Sequence, residues 1–108
     1  SLRTKALTAW TTYQAGKYEE SMAKAREIIA LDAQFPQGYV QLANVLLEIG
    51  EIGEAVEAAR KSVEMLNESP LPVYILCFAL SAAGRRDEAA KIAREMDEKS
   101  SQTYVPPY

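Results

Sequence analysis

The sequence predicts an all-α fold in which three antiparallel helical hairpins stack into a right-handed superhelix, an α-α solenoid. Two observations carry that prediction. Gly16, Gly50 and Gly84 lie 34 residues apart, and Pro36 and Pro70 share the same spacing. Between these markers apolar residues recur at helical spacing, and nowhere do they alternate over a strand's length.

The markers divide the chain into six helices, over 3–15, 18–31, 36–49, 53–66, 71–83 and 86–99. The first is closed by Gly16, a residue free to take positive φ where a helix gives way to a turn. The second opens after Lys17 with Glu19 and Glu20 in its first turn, where negative charge meets the helix dipole favourably. Pro36 opens the third, at a position whose missing N–H costs nothing. Leu42, Ala43, Leu46 and Ile49 give this helix its apolar stripe, and the run Val45–Leu47 lies inside that pattern. The fourth follows Gly50, with Val56, Ala59 and Val63 on one face and Glu57 placed to pair with Lys61 at i,i+4. Pro70 opens the fifth, striped by Leu76, Ala79, Leu80 and Ala83, and Gly84 closes it. Asp87 and Glu88 begin the sixth. Glu20, Glu54 and Glu88 follow the three glycines in one register, each trailed by a small residue: Ser21, Ala55 and Ala89. The short loops make successive helices antiparallel neighbours.

With these columns in place the sequence resembles the tetratricopeptide repeat family over essentially its whole length. The middle repeat carries the family pattern as Tyr39, Leu42, Ala43, Leu46, Gly50, Ile52, Ala55, Ala59 and Ser62. The third carries it as Val73, Leu76, Cys77, Leu80, Gly84, Arg86, Ala89, Ala93 and Met96. The first matches around Ala15-Gly16-Lys17-Tyr18-Glu19-Glu20 and Ile28-Ile29-Ala30-Leu31-Asp32, but its first helix departs, with Lys5, Thr8 and Thr12 at columns meant for burial. That helix either caps the array with a polar face or meets something upstream. The repeats span 2–35, 36–69 and 70–103, and Tyr104-Val105-Pro106-Pro107-Tyr108 falls in register to open a fourth. The stretch from Ala83 to Ala89 together with that tail is similar to the tetratricopeptide arrays of multidomain bacterial regulators. This resemblance, and the absence of an initial Met, lead to the expectation of a piece from a longer protein.

In the family the first helix of each hairpin lines a concave surface. The resemblance thus implies a groove formed by Arg3, Ala6, Trp10 and Tyr13, then Gln37, Val40, Asn44 and Leu47, then Leu71, Tyr74, Phe78 and Ser81. Trp10, Tyr13, Val40, Asn44, Leu47, Tyr74 and Phe78 are the candidate binding residues, because exposed apolar patches and aromatic anchors mark interaction sites. The alternative is that Trp10, Tyr13, Tyr74 and Phe78 pack between helices and finish the core. Asn44 either bonds a ligand's backbone or is a solvated amide. Family members that clamp a terminal carboxylate use basic and amide groups in this groove. Ala6, Tyr74 and Phe78 stand at those columns here, so an apolar peptide or amphipathic helix is the expected ligand.

Composition excludes other classes. The net charge is −3, and the middle third is acidic, with Glu48, Glu51, Glu54, Glu57, Glu64 and Glu68 against Arg60 and Lys61. A nucleic-acid binder needs a basic face that this chain lacks. No apolar window is long enough for a membrane span, and no signal-peptide pattern opens the chain. There is no histidine, and Cys77 is the single cysteine. The commonest metal ligand and general base are therefore missing, no internal disulfide can form, and the cytoplasm is the expected compartment. Cys77 reads as a small buried hydrophobe. No phosphate loop, nucleophile–base pair or metal-ligand spacing occurs, so neither catalysis nor a cofactor is expected. Two functions remain: a scaffold that binds a protein or peptide in its groove, or a structural spacer that self-associates, as a homodimer through an apolar face left open at the end of the array.

Overall fold

A computed structural model describes residues 1–66 and 69–103, without the side chains of 99–103, so the expected opening of a fourth repeat at 104–108 lies outside the described residues. Six helices follow in order: α1 (Leu2–Gln14), α2 (Tyr18–Leu31), α3 (Pro36–Ile49), α4 (Ile52–Met65), α5 (Pro70–Ala82) and α6 (Arg86–Thr103). Their bounds match the expected ones closely, apart from α6, which runs on to Thr103.

The three glycines act in the same way. Gly16, Gly50 and Gly84 have φ of 81°, 86° and 81°, a left-handed conformation that a Cβ would strain. Each reversal lets the next residue's N–H reach back across the helix end: Lys17 to the Thr12 carbonyl at 3.1 Å, Glu51 to Leu46 at 2.9 Å, and Arg85 to Leu80 at 2.8 Å. These bonds satisfy carbonyls that a helix end would otherwise leave open. Pro36 and Pro70 begin α3 and α5 as expected. Ser1 caps α1 by accepting from the Thr4 N–H.

Helices α1, α3 and α5 form an inner row in which each touches the next. Helices α2, α4 and α6 stand outside it, with no close backbone approach to one another, so the stack curves around the inner row. Within each hairpin the helices meet at small residues. The buried Ser21 hydroxyl donates to the Ala9 carbonyl at 2.9 Å, and Ala43 and Ala55 are wholly buried. In the third hairpin the half-buried Cys77 thiol donates to the Ala89 carbonyl at 3.6 Å, and burial pushes its pKa up. Between hairpins α3 lies so close to α2 that a Cβ on Gly38 would come within 2.9 Å of the Ile29 side chain. The main core runs through all three repeats, with Leu46, Val45, Ala59, Ala79 and Leu80 at its centre.

Among the surface charges one expected pair is replaced by another. Lys61 pairs with Glu64 at 3.9 Å rather than with Glu57. On α1, Lys5 turns outward to Glu27 at 3.0 Å, and the Thr8 and Thr12 hydroxyls donate to the carbonyls of Thr4 and Thr8. The outer side of α1 is therefore polar, with the Thr8 and Thr12 hydroxyls satisfied within the helix.

Candidate protein-interaction face

The inner row sorts its side chains by direction, as the helical period of about 3.6 residues requires. On α3, Leu42, Ala43 and Leu46 enter the core beside α4. Val40 and Leu47 lie toward α5, and Gln41 and Val45 toward α1. Gln37, Asn44 and Glu48 occupy the remaining side, which faces away from the outer helices. The same columns on the neighbouring helices are Arg3, Trp10 and Gln14 on α1, and Leu71, Phe78 and Ala82 on α5. This strip is the concave face.

The candidate residues separate accordingly. Trp10 is 38% exposed and Phe78 72%, in one column with the half-buried Asn44 between them. They are available on the face rather than spent in the core. Tyr13 and Leu47 are half-buried at the edge of the face and pack against the core. Tyr13 stacks on Trp10 with ring centroids 5.5 Å apart and lies 5.7 Å from the Tyr18 ring. Its hydroxyl donates to Glu48 Oε1 at 3.1 Å, and burial, followed by the Glu48 contact, pushes its pKa up. Tyr13 thus holds Trp10 in place and joins the first repeat to the second.

Val40 is a correction to the expected groove. It is only 4% exposed and belongs to the core, because its column is covered by the next helix of the inner row. Ala6, one repeat earlier, is buried in the same way. Tyr74, one repeat later, occupies that column with 58% of its surface exposed. It therefore projects from the α5 side of the array, beside the concave strip rather than within it.

A groove of about 500 Å³ opens between α1 and the start of α3, and to the expected Arg3, Trp10 and Gln37 it adds Leu7, Phe35 and Gln41, which sequence reasoning missed. Gln41 is buried, its Nε2 donating to the Ala6 carbonyl at 3.4 Å, while its Oε1 has no hydrogen-bond partner among the described residues. The available signal was its column: Gln41 stands where the third repeat has Ile75, and an amide in an apolar column is an anomaly. Among the described residues no group of three or more His, Cys, Asp or Glu is placed to hold a metal ion. No described helix is long and apolar enough to cross a membrane.

No family model and no curated protein matches the chain. Solved structures do. A crystal structure of MamA matches with a TM-score of 0.86 at 21% identity, covering 100% of this chain and 61% of that one. A second MamA structure, a D159K mutant, matches at 0.81 and 15% identity, over 97% of this chain and 58% of that one. SycD, the type III secretion translocator chaperone of Yersinia enterocolitica, matches at 0.80 and 21% identity, over 94% of this chain and 84% of that one. The chain thus spans about three-fifths of the length of the MamA structures. At these identities the likeness concerns the fold, a right-handed tetratricopeptide-type superhelix of three hairpins.

Proposed function

We propose that this chain is a non-catalytic interaction module that seats a peptide or helix of another protein on its concave face. The observation that carries the reading is the column of Trp10, Asn44 and Phe78. It presents two large aromatic rings to solvent on a side of the inner row that no described helix covers. Aromatic side chains held rigidly by neighbours lose little entropy on binding, and the Tyr13 stack supplies that rigidity to Trp10. The groove beside Trp10 offers a pocket for an apolar side chain, and Asn44 and Gln37 offer amides for an extended backbone. SycD is a translocator chaperone, which is in keeping with a polypeptide ligand. Placement in the cytoplasm and in a multidomain bacterial regulator belongs to the same proposal, resting on the lone cysteine and on the resemblance of the third repeat and the tail.

Trp10 is the single tryptophan, so its fluorescence reports on the face directly. A displayed random-peptide library selected on the immobilised chain should yield apolar or aromatic sequences. Selected peptides should shift Trp10 emission, and Phe78→Ala should weaken them about tenfold. Peptides that bind equally well to Phe78→Ala and leave Trp10 emission unchanged would remove the concave face from the account.

A further inference from the structure

Two cross-repeat ion pairs recur in the 34-residue register. Arg26 Nη2 meets Glu54 Oε2 at 2.6 Å and ties α2 to α4, and Arg60 meets Glu88 and ties α4 to α6. Arg26, Arg60 and Arg94 occupy one column, and Glu20, Glu54 and Glu88 another. Each rung takes its arginine from the earlier hairpin and its glutamate from the later one. The ladder therefore ends with an exposed Arg94 on α6 and an exposed Glu20 on α2, neither in an ion pair among the described residues.

The apolar columns end in the same complementary way. Ala6 and Val40 are covered by the helix that follows in the inner row, whereas Tyr74 in their column is open. Gln41 and Ile75 are covered by the helix that precedes them, whereas Leu7 in their column is 62% exposed. On α6, Ala90 and Ala93 are exposed where Val56 and Ala59 are buried one repeat earlier. The end face is thus less apolar than expected: Ser81, Arg86 and Asp97 stand beside these alanines in columns that hold Leu47, Ile52 and Val63 in the second repeat. Small side chains let a helix approach, and polar ones keep the contact weak.

The structure assigns these two ends to one another: a second copy of the chain docks its first hairpin on α5 and α6, continuing the solenoid head to tail. Glu20 of the second copy then pairs with Arg94 of the first, repeating the two rungs already present. Tyr74 of the first is covered by α1 of the second, and Leu7 of the second by α5 of the first. The Thr8 and Thr11 hydroxyls facing this junction donate to the carbonyls of Thr4 and Thr8, so they bring satisfied polar atoms and apolar methyls to it. Such a contact is heterologous and leaves one end free, so it forms open chains rather than a closed two-fold dimer. An exposed ion pair sets its register more than its strength, which makes the association weak and salt-sensitive.

Sedimentation equilibrium on the 108-residue chain over a wide concentration range tests this. The mass should rise past that of a dimer with concentration and fall as salt is added. Arg94→Glu alone and Glu20→Arg alone should each weaken association about tenfold, because like charges then face one another. Mixing the two variants should restore it, since every junction again joins a glutamate to an arginine. That recovery also shows that both variants are folded. A monomer at every concentration overturns the assignment, whether the end face stays open or residues 104–108 take it. So does a closed dimer that neither reversal affects.

Discussion

Phe78 and Leu46 are both large apolar residues of the inner row, but the structure gives them opposite duties. Leu46 is 1% exposed at the centre of the core, and its replacement by Ala should cost about 3 kcal/mol, within the roughly 2–5 kcal/mol range for a buried leucine. Phe78 is 72% exposed, so roughly 50 Å² of its surface is covered, worth about 1.3 kcal/mol at 25 cal/mol/Å². Alanine is the better helix former by about 0.5 kcal/mol, which offsets part of that loss. The net cost of Phe78→Ala is then about 1 kcal/mol or less. Urea unfolding followed by circular dichroism separates the two outcomes, with Leu46→Ala moving the midpoint at least twice as far and the slope unchanged. Equal destabilisation by the two substitutions would instead place Phe78 in a packed core and deprive the proposed binding face of its principal anchor.

Two further outcomes follow from local geometry and charge. Gly50 needs its positive φ and Gly53 does not. Gly50→Ala should therefore destabilise by about 1 kcal/mol, while Gly53→Ala, in open space within α4, should stabilise by about 0.5–1 kcal/mol; thermal unfolding of the pair checks both signs. The Glu88 carboxyl is held below the ordinary carboxylate range, chiefly by its hydrogen bond from Arg60, with the charges of Arg60 and Arg85 adding to it and desolvation opposing. A depressed carboxylate contributes stability that is present above its unfolded pKa and is lost as pH falls past that value and through its lower folded one. Carboxyl-resolved NMR titration should show Glu88 titrating below the ordinary glutamate range, and Arg60→Ala should raise the Glu88 pKa.

The reach of the sequence differed between the backbone and the face. The helix ends were legible because each is set by a residue with one backbone option: glycine at positive φ, proline at the first position. The core stripe of α3 was legible for a similar reason, since Leu42, Ala43 and Leu46 recur at the helical period. The face was only partly legible. Val40 and Asn44 are four residues apart on one helix, and whether such a residue is covered depends on the next hairpin rather than on its own helix. That is why Val40 was assigned to the groove and lies in the core, while Tyr74 in the same column lies open. The burial of Gln41 is not legible along its own helix, because it is imposed by α1, thirty-odd residues away in sequence. The ion pairs show the same limit. Lys61 had two carboxylates within reach along its own helix, and nearest-turn rules favoured Glu57, whereas the bridges from Arg26 and Arg60 cross between hairpins.

On the proposed reading the ligand lies on the concave strip and not on the outer helices. Backbone and side-chain NMR of the chain, with and without a library-selected peptide, tests it most directly. The largest shifts should fall on Arg3, Trp10, Asn44 and Phe78, with α2 and α4 nearly silent. Shifts concentrated on α2, α4 and α6, with the Trp10 indole unmoved, would contradict it.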